Sequence, residues 1–185
     1  MLLTLPNMLT WMRIVAIPGV VLLFYLPYHW SDLAAGLLFA AAGITDSLDG
    51  YYARKLGQTS RLGAFLDPVA DKMIVAVALV LIVSKDPRMI VVLTASVIIG
   101  REIAISALRE WMAEIGQRTK VAVSQLGKYK TILQIVGLSL MLVRWDVFGL
   151  PMYSLGLVLL VIAAVLTLIS MVDYLRAAWP DLRER

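Results

Sequence analysis

The chain has 185 residues, of which 61% are hydrophobic and 16% are charged, and its mean hydropathy is +0.84. This composition excludes an ordinary water-soluble domain, because too few polar side chains remain to cover a surface that faces water. Basic residues outnumber acidic residues by 17 to 13, which gives a net charge of +4, and the absence of cysteine excludes disulfides, thiolate nucleophiles and cysteine-ligated metals.

Six apolar stretches follow one another along the chain, each close to the length that a membrane crossing needs. A spanning helix takes about 20 mainly apolar residues. The predicted spans, in chain order, are Leu9 to Leu26, Leu33 to Ala53, Leu62 to Ser84, Met89 to Met112, Val123 to Val143 and Tyr153 to Leu175. We therefore predict an all-α integral membrane protein of six transmembrane helices, folded as a single domain over residues 1–185.

The residues that open the chain, Leu2 to Arg13, combine Pro6 and Asn7 with Thr10 and Trp11. This pattern is typical of a short interfacial segment that bends into the first span. It lacks the basic region, the short apolar core and the small-residue cleavage site of a signal peptide, so we expect the first span to stay attached.

Basic residues are distributed unevenly over the connections between the spans. Only three lie near the connections after the first, third and fifth spans, namely Lys85, Arg88 and Arg144. The opposite side carries Arg54, Lys55, Arg61, Arg109, Arg118, Lys120, Lys128, Lys130, Arg176, Arg183 and Arg185. Because cytoplasmic connections carry such an excess, we predict that this side and both termini are cytoplasmic.

Four aspartates lie where the second span ends and the third begins: Asp46, Asp49, Asp67 and Asp71. An ionised aspartate at mid-membrane depth costs about 2.5 to 3.5 kcal/mol, so four of them need a strong compensating charge. Residues three or four apart share a helix face, and the short connection brings the two pairs together. Hard divalent cations prefer carboxylate oxygens, and four carboxylates favour two ions, a layout used for displacement at phosphorus.

Two other interpretations of these aspartates stay open at this point. They could form ion pairs with Arg54, Arg61 or Lys72, which are near in sequence. Alternatively, they could line the path of a divalent cation transporter, although the chain shows no internal repeat of the kind that many transporters have.

The spacing of these aspartates carries a specific resemblance. The segment reads Asp46-x-x-Asp49-Gly50-x-x-Ala53-Arg54, eight residues, then Gly63-x-x-x-Asp67-x-x-x-Asp71. It resembles the complete signature of the CDP-alcohol phosphotransferases, integral membrane enzymes that build phospholipid head groups. No signature position departs from the pattern.

That resemblance implies the family's fold, two divalent cations (Mg²⁺ or Mn²⁺) and a division of roles among the signature residues. Asp46, Asp49 and Asp67 would be metal ligands, and Asp71 would be both ligand and general base. The contacts to the CDP group of CDP-diacylglycerol would map to Gly50, Ala53 and Arg54, with Ser60 as a further candidate. Since no cysteine and no Ser-His pair is available as a nucleophile, we predict single displacement.

The cytoplasmic ends of the fourth and fifth spans carry more cations than membrane anchoring needs. These cations are Arg101, Arg109, Arg118, Lys120, Lys128 and Lys130. An acceptor alcohol that bears its own phosphate would explain the excess, whereas inositol, choline or serine would not. Arg101 lies well inside the fourth span beside Glu102, and a buried guanidinium there needs an anionic partner.

Four further motifs narrow the resemblance to the branch of the family that uses glycerol 3-phosphate. They are Pro6-Asn7-Met8-Leu9-Thr10, Gly100-Arg101-Glu102-Ile103, Ala107-Leu108-Arg109-Glu110-Trp111 and Gly127-Lys128-Tyr129-Lys130-Thr131. The resemblance implies transfer of a phosphatidyl group from CDP-diacylglycerol to sn-glycerol 3-phosphate in a bacterial inner membrane. It assigns Arg101, Arg118 and Lys130 to the acceptor phosphate and places Asn7 and Thr10 near the nucleotide.

The partners expected on this basis are the two substrates, membrane lipids and a second copy of the chain, with no nucleic acid. Homodimerisation fits the small residues of the second span, which allow close helix contact. Another acceptor of the same family, inositol phosphate or phosphatidylglycerol, remains the alternative.

Overall fold

The computed structural model describes residues 5–56, 61–116, 125–147 and 149–183, and within these ranges the side chains of 5–7, 9, 46–56, 61–65, 125–128, 177 and 180–183 are outside the description. The described residues form six α-helices: α1 (Leu5–Tyr25), α2 (His29–Leu56), α3 (Arg61–Lys85), α4 (Met89–Glu114), α5 (Gln125–Val143) and α6 (Met152–Arg183). In these ranges the sole β feature is an isolated bridge between Val147 and Leu150.

The six predicted helices are confirmed, and α1 begins at Leu5 and continues without a break into the first apolar stretch. The agreement has a simple cause. Each apolar run is terminated by a cluster of proline, glycine or charged residues, which cannot continue an apolar helix at low cost.

Contacts between the connections show that the helices run alternately up and down. At the end of the molecule where α1 finishes, which we name the Tyr25 end, Arg144 lies 3.6 Å from Asp32, measured from Nε to Oδ1, and its Nη2 donates to the backbone oxygen of Phe24 at 3.3 Å. At the same end, the hydroxyl of Tyr153 donates to Asp86 at 2.5 Å. The connections after α1, α3 and α5 therefore meet at one end.

The short connection between α3 and α4 is held by an ion pair. Arg88 donates from Nε to Oδ1 of Asp86 at 2.8 Å and from Nη2 to Oδ2 at 2.7 Å. These hydrogen bonds lower the pKa of Asp86 to about 2, so the carboxylate is charged at any physiological pH.

Among the described residues, helices α5 and α6 make the most extensive contact between two helices, and two glycines allow it. A Cβ added at Gly156 would lie 2.6 Å from the backbone oxygen of Gly137 and 2.9 Å from the backbone nitrogen of Met141. Glycine permits this backbone approach, as it does in many membrane helix pairs. On α2, a Cβ at Gly36 would likewise lie 2.8 Å from the backbone oxygen of Ser139. The small residues of α2 thus pack against α5.

Substituting Gly156 by alanine is expected to lower the free energy of unfolding by about 1 to 3 kcal/mol, because the methyl group must push two helix backbones apart. Thermal unfolding of the purified protein in detergent measures the change. The matched control is Gly100→Ala, where an added Cβ meets nothing within 4 Å and alanine favours the helix. Equal melting temperatures for the two variants would contradict the close contact between α5 and α6.

The outward surface of the bundle is apolar. Among the described residues, two helices are long and apolar enough to cross a membrane, Met89–Glu114 and Met152–Arg176, and only 33% of the apolar window in each is buried inside the protein. Shorter apolar helices cover Thr10–Tyr25 and Tyr129–Val143. Large side chains such as Ile103 and Val158 face outward. Apolar helices with apolar exposed faces fit a membrane protein, since lipid rather than water then covers them.

Candidate active site

A cavity of about 310 Å³ opens among α3, α4, α5 and α6, at the end of the bundle opposite the Tyr25 end. Its lining residues are Pro68, Asp71, Lys72, Val75, Arg101, Glu102, Arg109, Lys130, Thr131, Gln134, Ile135 and Tyr174. Four of these carry a positive charge and two carry a negative charge. A cavity walled by low-dielectric protein and lined by excess cations attracts an anion.

Two of the signature carboxylates lie on α3, one helical turn apart. Asp71 is half-buried and lines the cavity. Asp67 is also half-buried, and the hydroxyl of Thr10 on α1 donates a hydrogen bond to its Oδ1. Because residues four apart share one face of a helix, both carboxylates lie on the same side of α3.

The other signature residues lie on α2 or beyond it. The backbones of Asp46, Asp49, Gly50 and Ala53 belong to α2, as predicted, and α2 also includes Arg54, one residue beyond the predicted span. The side chains of all five are outside the described part of the structure. Ser60 falls outside the described residues, and the side chain of Asn7 does so as well. The convergence of all four carboxylates therefore stays a prediction.

Within the side chains that the structure describes, no group of three or more histidines, aspartates or glutamates is close enough to hold a metal ion. The two described carboxylates, Asp67 and Asp71, are nevertheless of the right chemical type. Mg²⁺ and Mn²⁺ prefer carboxylate oxygens, and Mg²⁺ usually takes only one or two carboxylates besides water and substrate phosphates. This part of the donor set fits a divalent cation.

Arg101 is held in the cavity wall by contacts on both sides. Its side chain is 5% exposed, its Nη1 donates to Oε1 of Glu102 at 2.5 Å, and its Nη2 donates to the hydroxyl of Ser170 on α6 at 3.2 Å. Its Nε is buried without a hydrogen bond among the described residues. The sequence predicted an anionic partner for this guanidinium, and Glu102 is one such partner.

Lys130 reaches the same cavity from α5, and its side chain is 6% exposed. Two of the three residues predicted to hold the acceptor phosphate thus line one cavity. The third, Arg118, lies outside the described residues.

The cavity also contains a cation that the sequence analysis did not assign to the acceptor phosphate. Arg109 lines it from α4, two turns after Arg101, and its Nη2 donates to the hydroxyl of Tyr174 at 3.0 Å. Its guanidinium carbon lies 5.2 Å from the centre of the tyrosine ring, which adds a cation-π contact. The eight-residue spacing from Arg101 was the available signal, but spacing alone could not separate a cavity residue from a membrane anchor.

Lys72 follows Asp71 and lines the cavity too. Its Nζ donates to the hydroxyl of Ser106 on α4 at 2.5 Å. This contact joins α3 to α4 and does not involve a signature carboxylate.

His29 lies at the Tyr25 end, with its ring edge-on to Trp145 at 6.2 Å between ring centres. It is therefore remote from the cavity.

Comparison with known proteins bears on this geometry. The family model described as CDP-alcohol phosphatidyltransferase, the family whose signature is quoted above, matches residues 3–169. The chain is 50% identical over 181 residues to the CDP-diacylglycerol–glycerol-3-phosphate 3-phosphatidyltransferases of Shigella flexneri serotype 5b and Escherichia coli K12. In both comparisons the alignment covers 98% of this chain and 98% of the relative.

Proposed function

The chain belongs to the CDP-alcohol phosphatidyltransferase family, and we propose that it transfers the phosphatidyl group of CDP-diacylglycerol to sn-glycerol 3-phosphate. The products are phosphatidylglycerophosphate and CMP, so the protein is a transferase of phospholipid biosynthesis. The observation that carries this conclusion is the 50% identity to enzymes of that name over 98% of the chain. The cation-lined cavity beside Asp71 supports it, since the acceptor is itself a phosphate.

The family generally uses divalent metal ions. We propose two, Mg²⁺ or Mn²⁺, with Asp46, Asp49, Asp67 and Asp71 as the residues that hold them. Bound there, such ions supply charge neutralisation for the diphosphate of the lipid substrate. Asp67 and Asp71 contribute the described carboxylates, and α2 carries the other two in helical register.

The chain's own residues account for the remaining steps. Asp71, in the cavity wall, accepts the proton of the attacking hydroxyl of glycerol 3-phosphate. The oxygen of that hydroxyl bonds to the phosphorus that bears diacylglycerol, and the bond from this phosphorus to the bridging oxygen of the departing CMP breaks. Arg101 and Lys130 hold the acceptor phosphate so that the hydroxyl is oriented for attack. No covalent intermediate with the enzyme is formed.

The remaining site residues belong to the same proposal. Gly50, Ala53, Arg54 and Ser60 would bind the CDP group, because they match the family's motif. Asn7 and Thr10 would lie near the nucleotide, and the contact of Thr10 with Asp67 supports a place at this end of the bundle. Arg118 would complete the set of cations around the acceptor phosphate.

We place the protein in a bacterial inner membrane as a multi-pass, homodimeric, single-domain enzyme over residues 1–185. Both termini and the cavity would face the cytoplasm, from which the water-soluble acceptor glycerol 3-phosphate would enter the cavity. The support is the excess of basic residues on the cavity side, as the positive-inside rule requires, together with the apolar outer faces of the helices.

An acceptor assay tests the proposed function. Purified protein in detergent is given CDP-diacylglycerol and Mg²⁺ with glycerol 3-phosphate, inositol phosphate, phosphatidylglycerol or no acceptor. We expect CMP release with glycerol 3-phosphate, a lipid product with the mass of phosphatidylglycerophosphate, and complete loss of activity in EDTA that Mg²⁺ or Mn²⁺ restores.

Each other outcome of that assay has a definite meaning. A preference for inositol phosphate or phosphatidylglycerol would reassign the acceptor within the family. No CMP release with any acceptor would overturn the proposal that the protein is an enzyme and would favour the alternative of a divalent cation transporter. Exchange of labelled CMP into CDP-diacylglycerol without acceptor would contradict single displacement.

A further inference from the structure

Thr10 is one of the most deeply buried polar side chains described, with 1% of its surface exposed. It lies on α1, which carries none of the signature residues. Its hydroxyl donates to Oδ1 of Asp67 on α3, 57 residues further along the chain. A buried hydroxyl of α1 is thus bonded directly to a signature carboxylate.

The direction of this bond differs from that of several serine and threonine hydroxyls in the described helices. Buried Thr94 donates to the backbone oxygen of Ile90, and exposed Ser96 donates to that of Val92, each one turn earlier in its own helix, which is a usual arrangement for a helical hydroxyl. Thr10 instead donates between helices to a charged acceptor. A hydrogen bond to a charged group is stronger than one between neutral groups, and it restricts the rotation of the acceptor side chain.

We propose that Thr10 is a positioning residue that orients the carboxylate of Asp67 for a divalent cation. The inference rests on the proposed function, which makes Asp67 a metal ligand. Groups that hydrogen-bond to a ligating carboxylate fix its orientation, and their removal typically weakens metal binding by about 10- to 100-fold. Thr10 acts on the metal through Asp67 and has no need to touch the nucleotide itself.

The positioning role of Thr10 can be measured as Mn²⁺ affinity, without catalytic turnover. Mn²⁺ alone is titrated into the purified full-length protein in detergent, and free Mn²⁺ is followed by electron paramagnetic resonance. Thr10→Val replaces the hydroxyl by a methyl group at nearly constant volume, and we expect it to raise the apparent Kd for Mn²⁺ about tenfold or more. Thr10→Ser keeps the hydroxyl and should bind Mn²⁺ more tightly than Thr10→Ala.

Two comparisons separate positioning from a general structural effect. The control Thr94→Val removes a buried hydroxyl of α4 that bonds within its own helix, and its Mn²⁺ affinity should equal that of the wild type. In an Asp67→Asn background, Thr10→Val should weaken Mn²⁺ binding no further, because the group that it positions has lost its charge.

Wild-type Mn²⁺ affinity in Thr10→Val would overturn the proposal. A raised KM for CDP-diacylglycerol in that same variant would then place Thr10 at the nucleotide. Melting temperatures without metal show whether each variant is folded. If Thr10→Val is not folded, the Mn²⁺ affinities of Thr10→Ser and Thr10→Ala decide whether the hydroxyl matters, because these two variants differ only in that group. Failure of the proposed function would look different: the wild type would bind Mn²⁺ but release no CMP with glycerol 3-phosphate.

Discussion

Replacing Asp71 by asparagine is expected to lower kcat for CMP release by at least about 10²- to 10⁴-fold, the usual contribution of a positioned general base. Asparagine has nearly the same shape but cannot accept the proton of the attacking hydroxyl. It is also a weaker ligand for a divalent cation, so the loss of charge acts in the same direction. Turnover is measured as CMP release at saturating CDP-diacylglycerol, glycerol 3-phosphate and Mg²⁺.

The control for this substitution is Asp173→Asn. Asp173 lies exposed on α6 and is absent from the residues that line the cavity, so the same chemical change should leave kcat near the wild-type value. Thermal unfolding of both variants shows whether they are folded. Retention of wild-type kcat by a folded Asp71→Asn enzyme would remove Asp71 from the role of base.

Replacing Lys130 by glutamine is expected to raise KM for glycerol 3-phosphate about ten- to a hundredfold, which corresponds to the 1.5 to 3 kcal/mol of a hydrogen bond to a charged group. Lys130 is almost fully buried and lines the cavity, where the attraction of a cation to a phosphate is weakly screened by water. KM for CDP-diacylglycerol should change much less, because the lipid substrate is assigned to the signature residues. Initial rates with each substrate varied in turn measure the two constants.

Arg176→Gln provides the matched control for Lys130→Gln. Arg176 is an exposed cation of α6 that does not line the cavity, so its neutralisation removes the same charge from the protein without touching the acceptor. Both KM values should stay near those of the wild type. An equal rise of the two constants in Lys130→Gln would show that Lys130 does not belong to the acceptor site.

Most of the helical architecture could be predicted from the sequence. A bilayer requires long apolar runs, and the chain interrupts them with proline, glycine and charge, so α4 (Met89–Glu114) begins where its predicted span begins and ends within two residues of it. The signature aspartates were equally visible, because their helical spacing is a property of consecutive residues. Asp67 and Asp71 do lie one turn apart on α3.

The cavity was predictable only in part. Charge and span position indicated a group of cations, the family resemblance selected Arg101 and Lys130 from it, and both line the cavity. From the sequence, Arg109 was indistinguishable from a membrane anchor, and only the structure places it beside Tyr174 of α6. The neighbour of a side chain on another helix depends on where two helices cross, and one such crossing is fixed by close backbone packing at Gly137 and Gly156.

The amino-acid sequence alone thus determined the apolar helices, the family and the chemistry that its aspartates imply, because each depends on residues close together along the chain. The tertiary structure alone decided that Thr10 meets Asp67, that Arg101 meets Ser170 and that Arg109 meets Tyr174. These pairs are separated by 57, 69 and 65 residues, and only the packing of one helix against another brings them within hydrogen-bonding distance.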